Sequence, residues 1–507
     1  MLRPVASVVA FVDRWGHWIA PPAGALLALA FAPTSTWPLA FVCPAVLMLL
    51  WQGAAPRSAA WRGFLFTGGT FLAGTYWLYH SIHLIGKAPI WLALFLMLGM
   101  SAIMGSYTAL LGYAAARWGS ERGPLRWLVL LPAGWVLVEW LRGWFLSGFP
   151  WLALAYTQLD TVLAAYAPVG GAYAVSLATV VLAGALVTFL LGKRADRMWA
   201  AATVIVVCVG GGVLSRIEWT QPRGTSVTVA LVQGAVPQSM KWVPGELERT
   251  MDLYVGLTRP YLGADIIVWP ESAIPALESN IRDFLNGVTA LAKSRGSSLV
   301  TGLVRRDPAT GAYYNGIAAW APGEHWYYKR HLVPFGEFFP VPAAVRDWMR
   351  LMNLPYSDFS AGADAQDPLV AGGERLAPTI CYEDAYGVEQ LPYARRATLL
   401  VNVTNDAWFG DSSAPHQHLD ISRMRSLETG RPMLRATNDG VTALIAGDGK
   451  LIGVLPQFRS GVLTGRVEPR TGLTPYMRAG NWPVLGLLWL GLVAGFGWRR
   501  MRRGSAR

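Results

Sequence analysis

One cysteine, one lysine and two glutamates in this chain stand where buried strands should end. Cys381 closes an apolar run in Ala377-Pro-Thr-Ile-Cys-Tyr-Glu-Asp384, and two acids follow it within three residues. It is the only cysteine in the polar part of the chain, since Cys43 and Cys208 lie in long apolar runs. Glu271 ends Ile266-Ile-Val-Trp-Pro-Glu271, and Lys329 lies in Tyr327-Tyr-Lys-Arg-His-Leu-Val-Pro-Phe-Gly-Glu337. Each has a plainer reading alone. A free cysteine is among the most buried residue types. Glu271 reads as a helix N-cap or a turn residue after Trp-Pro, and Lys329 as a solvated strand-edge charge. Together they read as chemistry. In open α/β sheets ligands gather at the carboxyl ends of the strands, which lets residues far apart in sequence meet. A thiol, a carboxylate and an ammonium then supply a nucleophile, its base and a cation. Glu271 takes the thiol proton, and Lys329 favours the thiolate and then the oxyanion of a tetrahedral intermediate.

The elements that must hold these residues follow from apolar patterning. Val227–Gln233, Ile266–Trp269, Ser298–Val304, Trp326–Lys329, Ala377–Tyr382, Thr398–Val403, Met433–Thr437 and Val441–Ala446 read as strands. Segments 245–258, 280–294 and 416–429 read as helices between them. Alternating strands and helices over this length predict one α/β domain with buried strands.

The rest of the chain is of another kind. Of 507 residues 53% are hydrophobic and 15% charged, and residues 1–220 hold few acids. A charged share well below the roughly 25% of soluble domains predicts a membrane part beside a globular one. Apolar runs fall at about 16–33, 36–52, 62–80, 88–116, 125–142, 162–192, 198–215 and 482–498. They predict about eight spans, with a re-entrant hairpin as the alternative for the first two, which are short and proline-rich. The start, Met1-Leu-Arg-Pro, reads as part of a retained first segment. Basic residues alternate between loops: Arg3, Arg14, Arg57, Arg62, Arg117, Arg122, Arg126, Lys193, Arg194 and Arg197 on one side, only Lys87, Arg142 and Arg216 on the other. The tail adds Arg499, Arg500, Arg502, Arg503 and Arg507. The bias places both termini in the cytoplasm. The expected division is a transmembrane domain, 1–216, an extracytoplasmic catalytic domain, 217–481, and a final span with a basic tail, 482–507. The net charge of +12 does not indicate nucleic acid, because the basic residues cluster between apolar runs rather than on one domain face. Three cysteines, two of them in spans, leave no disulfide framework.

At the three chemical residues the chain resembles the nitrilase superfamily. Val268-Trp-Pro-Glu-Ser272, Tyr328-Lys329 with Pro334-Phe-Gly-Glu337, and Ile380-Cys-Tyr-Glu383 match its base, lysine and nucleophile segments. The preceding and following spans narrow the resemblance to the apolipoprotein N-acyltransferases. Gly148-Phe-Pro-Trp151, Gln233-Gly234, Pro237-Gln-Ser-Met-Lys-Trp242, Asn315-Gly316 and Asn402-Val-Thr-Asn-Asp-Ala-Trp-Phe-Gly410 support it. The resemblance implies an αββα sandwich carrying a Glu-Lys-Cys triad beside a polytopic helical domain, in a bacterial inner membrane with the catalytic domain periplasmic. It implies an acyl chain passed from the sn-1 position of a phospholipid to Cys381 as a thioester, then to the α-amine of a diacylglyceryl-cysteine lipoprotein. Glu271 serves as base, Lys329 holds the oxyanion and Glu337 orients Lys329. Trp242, Asn315, Tyr382, Glu383 and Trp408 are the expected substrate-binding residues. No metal or cofactor is required, and a monomer is expected.

Several features stay open. Glu139 and Arg142, and His80 and His83, read either as interfacial anchors or packing pairs, or as a polar rim for a lipid headgroup. Val341, Val345, Trp348 and Met352, with Leu351 and Leu354, form an apolar helical face that is either a core helix or an arm dipping into the interface. His416 and His418 near Asp411 and Asp420 are a weak metal signal. The segment Asp406-Ala-Trp-Phe-Gly410 reads as a loop lining the acyl or amine pocket, and Gly447-Asp-Gly-Lys450 as a hairpin turn. Two rivals keep part of the evidence: a membrane-tethered amidase with water as acceptor, and a non-catalytic module that binds acyl lipids.

Overall fold

A computed structural model describes residues 3–119, 123–241, 243, 245–320, 323–334, 336–338 and 359–504. Trp242, Phe335 and the proposed arm around 341–354 lie outside the described residues. The chain divides into two compact units. One comprises residues 1–218, 411–420 and 474–507, and the other 219–410 and 421–473.

The first unit is helical, with a helix at each of the eight apolar runs. Among the described residues three helices are long and apolar enough to cross a membrane: Ile90–Arg117, Val162–Leu191 and Arg194–Leu214. Leu39–Leu50 and Trp482–Phe496 are shorter apolar helices. Proline shortens or bends several others. Pro21 and Pro22 lie inside Arg3–Leu27, and Pro44 inside Leu39–Leu50. The helices approach through glycine. A Cβ on Gly24 would lie 1.8 Å from the Phe66 carbonyl oxygen, and one on Gly112 2.6 Å from that of Ala59. Small residues allow this backbone contact where no water drives helices together. Glu139 and Arg142 are both buried. Glu139 Oε1 accepts from Trp135 Nε1 and from the Leu154 amide, and Arg142 donates to the Leu152 carbonyl at 3.1 Å. These bonds favour the packing reading, since the pair supports the turn that carries Gly148-Phe-Pro-Trp151. The Trp151 and Trp77 indoles both donate to Gln417 Oε1, and Gln417 donates to the Gly74 carbonyl.

The second unit contains fourteen described strands. In chain order they are β1 (Gln221–Pro222), β2 (Val227–Gln233), β3 (Ile266–Trp269), β4 (Ser298–Arg306), β5 (Tyr313–Trp320), β6 (Glu324–Tyr328) and β7 (Leu369–Ala371). There follow β8 (Glu374–Ile380), β9 (Leu399–Thr404), β10 (Met433–Thr437), β11 (Thr442–Ile445), β12 (Leu451–Leu455), β13 (Gly461–Val467) and β14 (Arg470–Thr471). Two six-stranded sheets have the orders β13-β2-β3-β4-β5-β6 and β12-β11-β10-β9-β8-β7, and β1 pairs with β14. Each sheet has a parallel centre, β2-β3-β4 in one and β8-β9-β10 in the other, with antiparallel strands outside it. β10 packs on β2 and β3, so the sheets lie face to face. The central strands are buried on both faces, as parallel strands covered by a sheet and by helices must be. The helix Arg282–Ser294 buries Leu285, Val288 and Ala292 at helical spacing. With Glu246–Thr258 it covers the outer face of the first sheet, where Tyr254, Leu285 and Val288 join Ile267, Trp269 and Leu299 in one core.

The expected strands and helices are present within a few residues of their predicted ends. β5 was not predicted as a strand, because Asn315-Gly316 interrupts its apolar run, and neither were β12 and β13, whose residues are largely half-exposed. The predicted strand through Tyr382 stops at Ile380, because Cys381 turns out of the extended region with φ +53°.

Candidate active site

Three strand ends supply the three chemical residues. β3 delivers Glu271 after Pro270, which has no amide hydrogen to extend the ladder. Lys329 follows β6, its amide donating to the Asn315 carbonyl. Cys381 follows β8 at a sharp elbow. A non-glycine residue at positive φ stores roughly 1–3 kcal/mol of strain and persists only where its surroundings dictate it. Here the surroundings are specific. Glu383 Oε2 accepts from the Ile380 amide at 2.7 Å, and Asn402 Nδ2 donates to the Cys381 carbonyl at 3.0 Å.

The charged atoms converge in a buried cluster. Lys329 Nζ lies 2.9 Å from Glu337 and 3.9 Å from Glu271 Oε1. The Asn315 amide nitrogen bridges the two acids, donating to Glu271 Oε1 at 2.7 Å and to Glu337 Oε1 at 3.0 Å. Glu271 Oε2 accepts from the Asn405 amide at 2.9 Å, and Glu337 Oε2 from the Val333 amide at 2.8 Å. Both acids are therefore fixed, one oxygen to the cluster and the other to backbone.

The electrostatics set the resting protonation states. Burial pushes the Glu271 carboxyl up; Lys329 opposes this and Glu337 reinforces it, while the Asn315 bond and Lys241 lower it. Burial alone would lower Lys329, but Glu337 and Glu271 outweigh it and hold the ammonium well above its ordinary value. Burial also pushes the Cys381 thiol well up, with Glu271 adding to the shift and Lys329 opposing it. Lysine was expected to favour the thiolate. Its pull is present, yet desolvation prevails and favours the neutral thiol at Cys381.

The other expected residues take distinct places. Glu383 is buried, and its carboxylate also accepts from the Arg330 and His331 amides and the Tyr327 hydroxyl. It thus ties the elbow to the strand end that bears Lys329. The Tyr382 hydroxyl lies 2.7 Å from that of Tyr386, on whose ring His331 stacks. Trp408 is exposed in the turn Asp406–Phe409. Trp242 falls outside the described residues. Among the described residues no cluster of three or more metal-ligating side chains occurs.

Sequence reasoning picked out the stretch Asn402–Gly410 but missed Arg435 and the polar bed that the two form under the cysteine. Arg435, wholly buried in β10, donates to Asp406 at 2.9 Å, to Asn402 Oδ1 at 2.7 Å and to Ser422 at 2.8 Å, with Asp384 at 3.7 Å. Thr404 donates to Asp406 and hydrogen-bonds the Cys381 side chain. Asn402, Thr404 and Arg435 are polar residues inside buried strands, which was the available signal.

Gly302 fixes the base from beneath. A Cβ there would lie 2.6 Å from Glu271 Cα and 2.7 Å from the Pro270 carbonyl oxygen, both backbone atoms that cannot rotate away. Gly302→Ala must therefore displace residues 270–272. We expect turnover at this site to fall about 100-fold in a protein that still folds, because a displacement of about 1 Å costs that much. Single-turnover rates on the purified variant check this, and an unchanged rate would show that the base tolerates the shift.

Comparison with known proteins places this fold and site in a family. The carbon-nitrogen hydrolase family matches residues 228–476. The apolipoprotein N-acyltransferase N-terminal domain matches residues 23–186. The apolipoprotein N-acyltransferase of Methylococcus capsulatus is 41% identical over 95% of this chain and 96% of its own length. That of Azotobacter vinelandii is 41% identical over 97% and 96%. A solved CN-hydrolase superfamily protein from Xanthomonas campestris, with 17% identity and a TM-score of 0.36, covers 52% of this chain and 97% of its own. The chain belongs to the apolipoprotein N-acyltransferase family.

Proposed function

We propose that this protein moves an acyl chain from the sn-1 position of a phospholipid to the N-terminal amine of a diacylglyceryl-cysteine lipoprotein, through a thioester on Cys381. The observation that carries the reading is the cluster of Glu271, Lys329 and Glu337 beside the half-buried Cys381, whose thiol desolvation favours in its neutral form.

In the first step Glu271 takes the thiol proton as Sγ bonds to the ester carbonyl carbon. Lys329, held charged by its two carboxylates, stabilises the oxyanion. The carbon–oxygen bond breaks, and Glu271 returns the proton to the departing lysophospholipid oxygen. In the second step the free amine attacks the thioester, Glu271 takes its proton, and the carbon–sulfur bond breaks. The proton then passes to the cysteine sulfur. Glu337 positions Lys329 rather than reacting. Asn315 Oδ1, buried and without a hydrogen-bond partner among the described residues, accepts from the incoming amine. Tyr382, Trp242 and Trp408 contact substrate, and Glu383 holds the elbow. The long apolar helices support a bilayer setting, in which both lipids reach the site without crossing water. The reading includes eight spans, a catalytic domain over 217–481 on the periplasmic face of a bacterial inner membrane, cytoplasmic termini and a monomer.

Intact-mass analysis after incubation with a phospholipid of one defined acyl chain tests the reading. The expected result is an acyl-sized gain removed by hydroxylamine, with an equal amount of lysophospholipid. Adding a diacylated lipopeptide should discharge the adduct and yield triacylated product. Release of free fatty acid alone would favour an amidase-like hydrolase, and no adduct in folded protein would rule the mechanism out.

A further inference from the structure

A second lysine stands behind the base. Lys241 is 1% exposed, and its ammonium donates to the backbone carbonyl of Glu271 at 3.3 Å. Its segment is tied to the same glutamate from the other side. Gln238 Oε1 accepts from Asn405 Nδ2 at 2.8 Å, and the Asn405 amide donates to Glu271 Oε2. Asn438 completes the brace, donating to the Val236 carbonyl and to Asn405 Oδ1, while the Ala235 amide donates to the Asn438 carbonyl. Among the described residues Glu271 is the one acidic group that acts on Lys241.

A buried lysine without a carboxylate of its own is costly, so its presence beside the base calls for a reason. Burial draws it down to about 8, with Glu271 opposing the shift, so it is charged below that pH. The groups facing the Glu271 carboxyl are then two cations, Lys329 and Lys241, and one anion, Glu337, with the Cys381 thiol as the proton donor. Lys329 is committed to Glu337 by close contact, and Lys241 is not.

We infer that Lys241 is a positioning residue for the reaction: its charge and its bond to the Glu271 carbonyl keep that glutamate ionised and aimed at the Cys381 thiol. This rests on the reading of Glu271 as general base. The function is electrostatic, so it must show in a pH profile and not only in a rate. Removing the charge raises the pH at which Glu271 loses its proton.

The experiment measures acyl-enzyme formation from phospholipid in single turnover across pH, using full-length protein in detergent. This step avoids the acceptor amine, which titrates itself. Lys241→Met loses charge and bond; Lys241→Gln keeps a donor and loses the charge; Lys241→Arg keeps both. In the methionine and glutamine variants the acid limb should move to higher pH by about half a unit or more. Lys241→Arg should leave it in place. A limb that stays put in Lys241→Gln, whatever happens to the rate, would overturn the inference while leaving the thioester reading intact. An absence of acyl-enzyme in the unaltered protein would instead remove the reading on which the inference stands. Should Lys241→Met fail to fold, the glutamine and arginine pair still decides.

Discussion

Cys381→Ala is expected to form no acyl adduct and release no lysophospholipid, with a transfer rate lower by about four orders of magnitude or more, as for nucleophiles that act within a unit. Glu271→Gln should cost nearly as much. Desolvation favours the neutral thiol, so on the proposed mechanism no thiolate forms without the base. The amide adds a second fault, since its nitrogen cannot accept the Asn405 amide as the Glu271 oxygen does. Combining the two changes should cost little beyond either alone, because each removes the same event. Additive losses would mean that Glu271 and Cys381 act in separate steps. The measurement is the residual rate of triacylated product formation for both single variants and the pair, with a thermal melt to confirm folding.

Arg435→Met should instead be a stability failure. Arg435, Asp384 and Asp406 are wholly inaccessible to solvent, and one guanidinium serves both acids. Removing one partner of such a buried set costs roughly 3–5 kcal/mol, because two carboxylates shut off from solvent lose the cation they share. For a unit of this size the thermal midpoint should drop by about 10 °C. The loss stems from stranded charge rather than lost volume, so adding Asp384→Asn and Asp406→Asn should recover part of it. If the triple variant melts no higher than Arg435→Met, packing and not charge explains the position. Activity should fall with stability, since Arg435 reaches the Cys381 carbonyl through Asn402.

The difference between these two sites explains what could be read in the sequence. Glu271 and Cys381 were legible because each closes an apolar strand, where a reactive side chain breaks the pattern. Lys329 was legible for the same reason. Arg435, Asn402 and Thr404 sit within strands, and nothing local says whether a polar residue there faces solvent or a buried partner; the answer lies on a strand thirty residues away. Lys241 follows no strand and meets Glu271 only once the sheet has formed. The helical unit was legible as apolar runs, and among the described residues three of the eight have helices long and apolar enough to cross a membrane, one of them kinked at Gly170-Gly171. The αββα layering was implied by resemblance, and the pairing of β13 with β2 had no local signature at all.

That pairing governs how the chain must fold. β13 joins β2 in register from Gly461 opposite Gln233 to Val467 opposite Val227, so one edge of the first sheet is closed by residues made more than two hundred positions later. Contacts this distant in sequence are slow to form, because a long loop must close before they gain anything. Until then β2 presents an unpaired edge, open to wrong partners. The second unit can therefore pair β2 with β3 early, but one edge of its opening strand waits for nearly the whole chain to emerge.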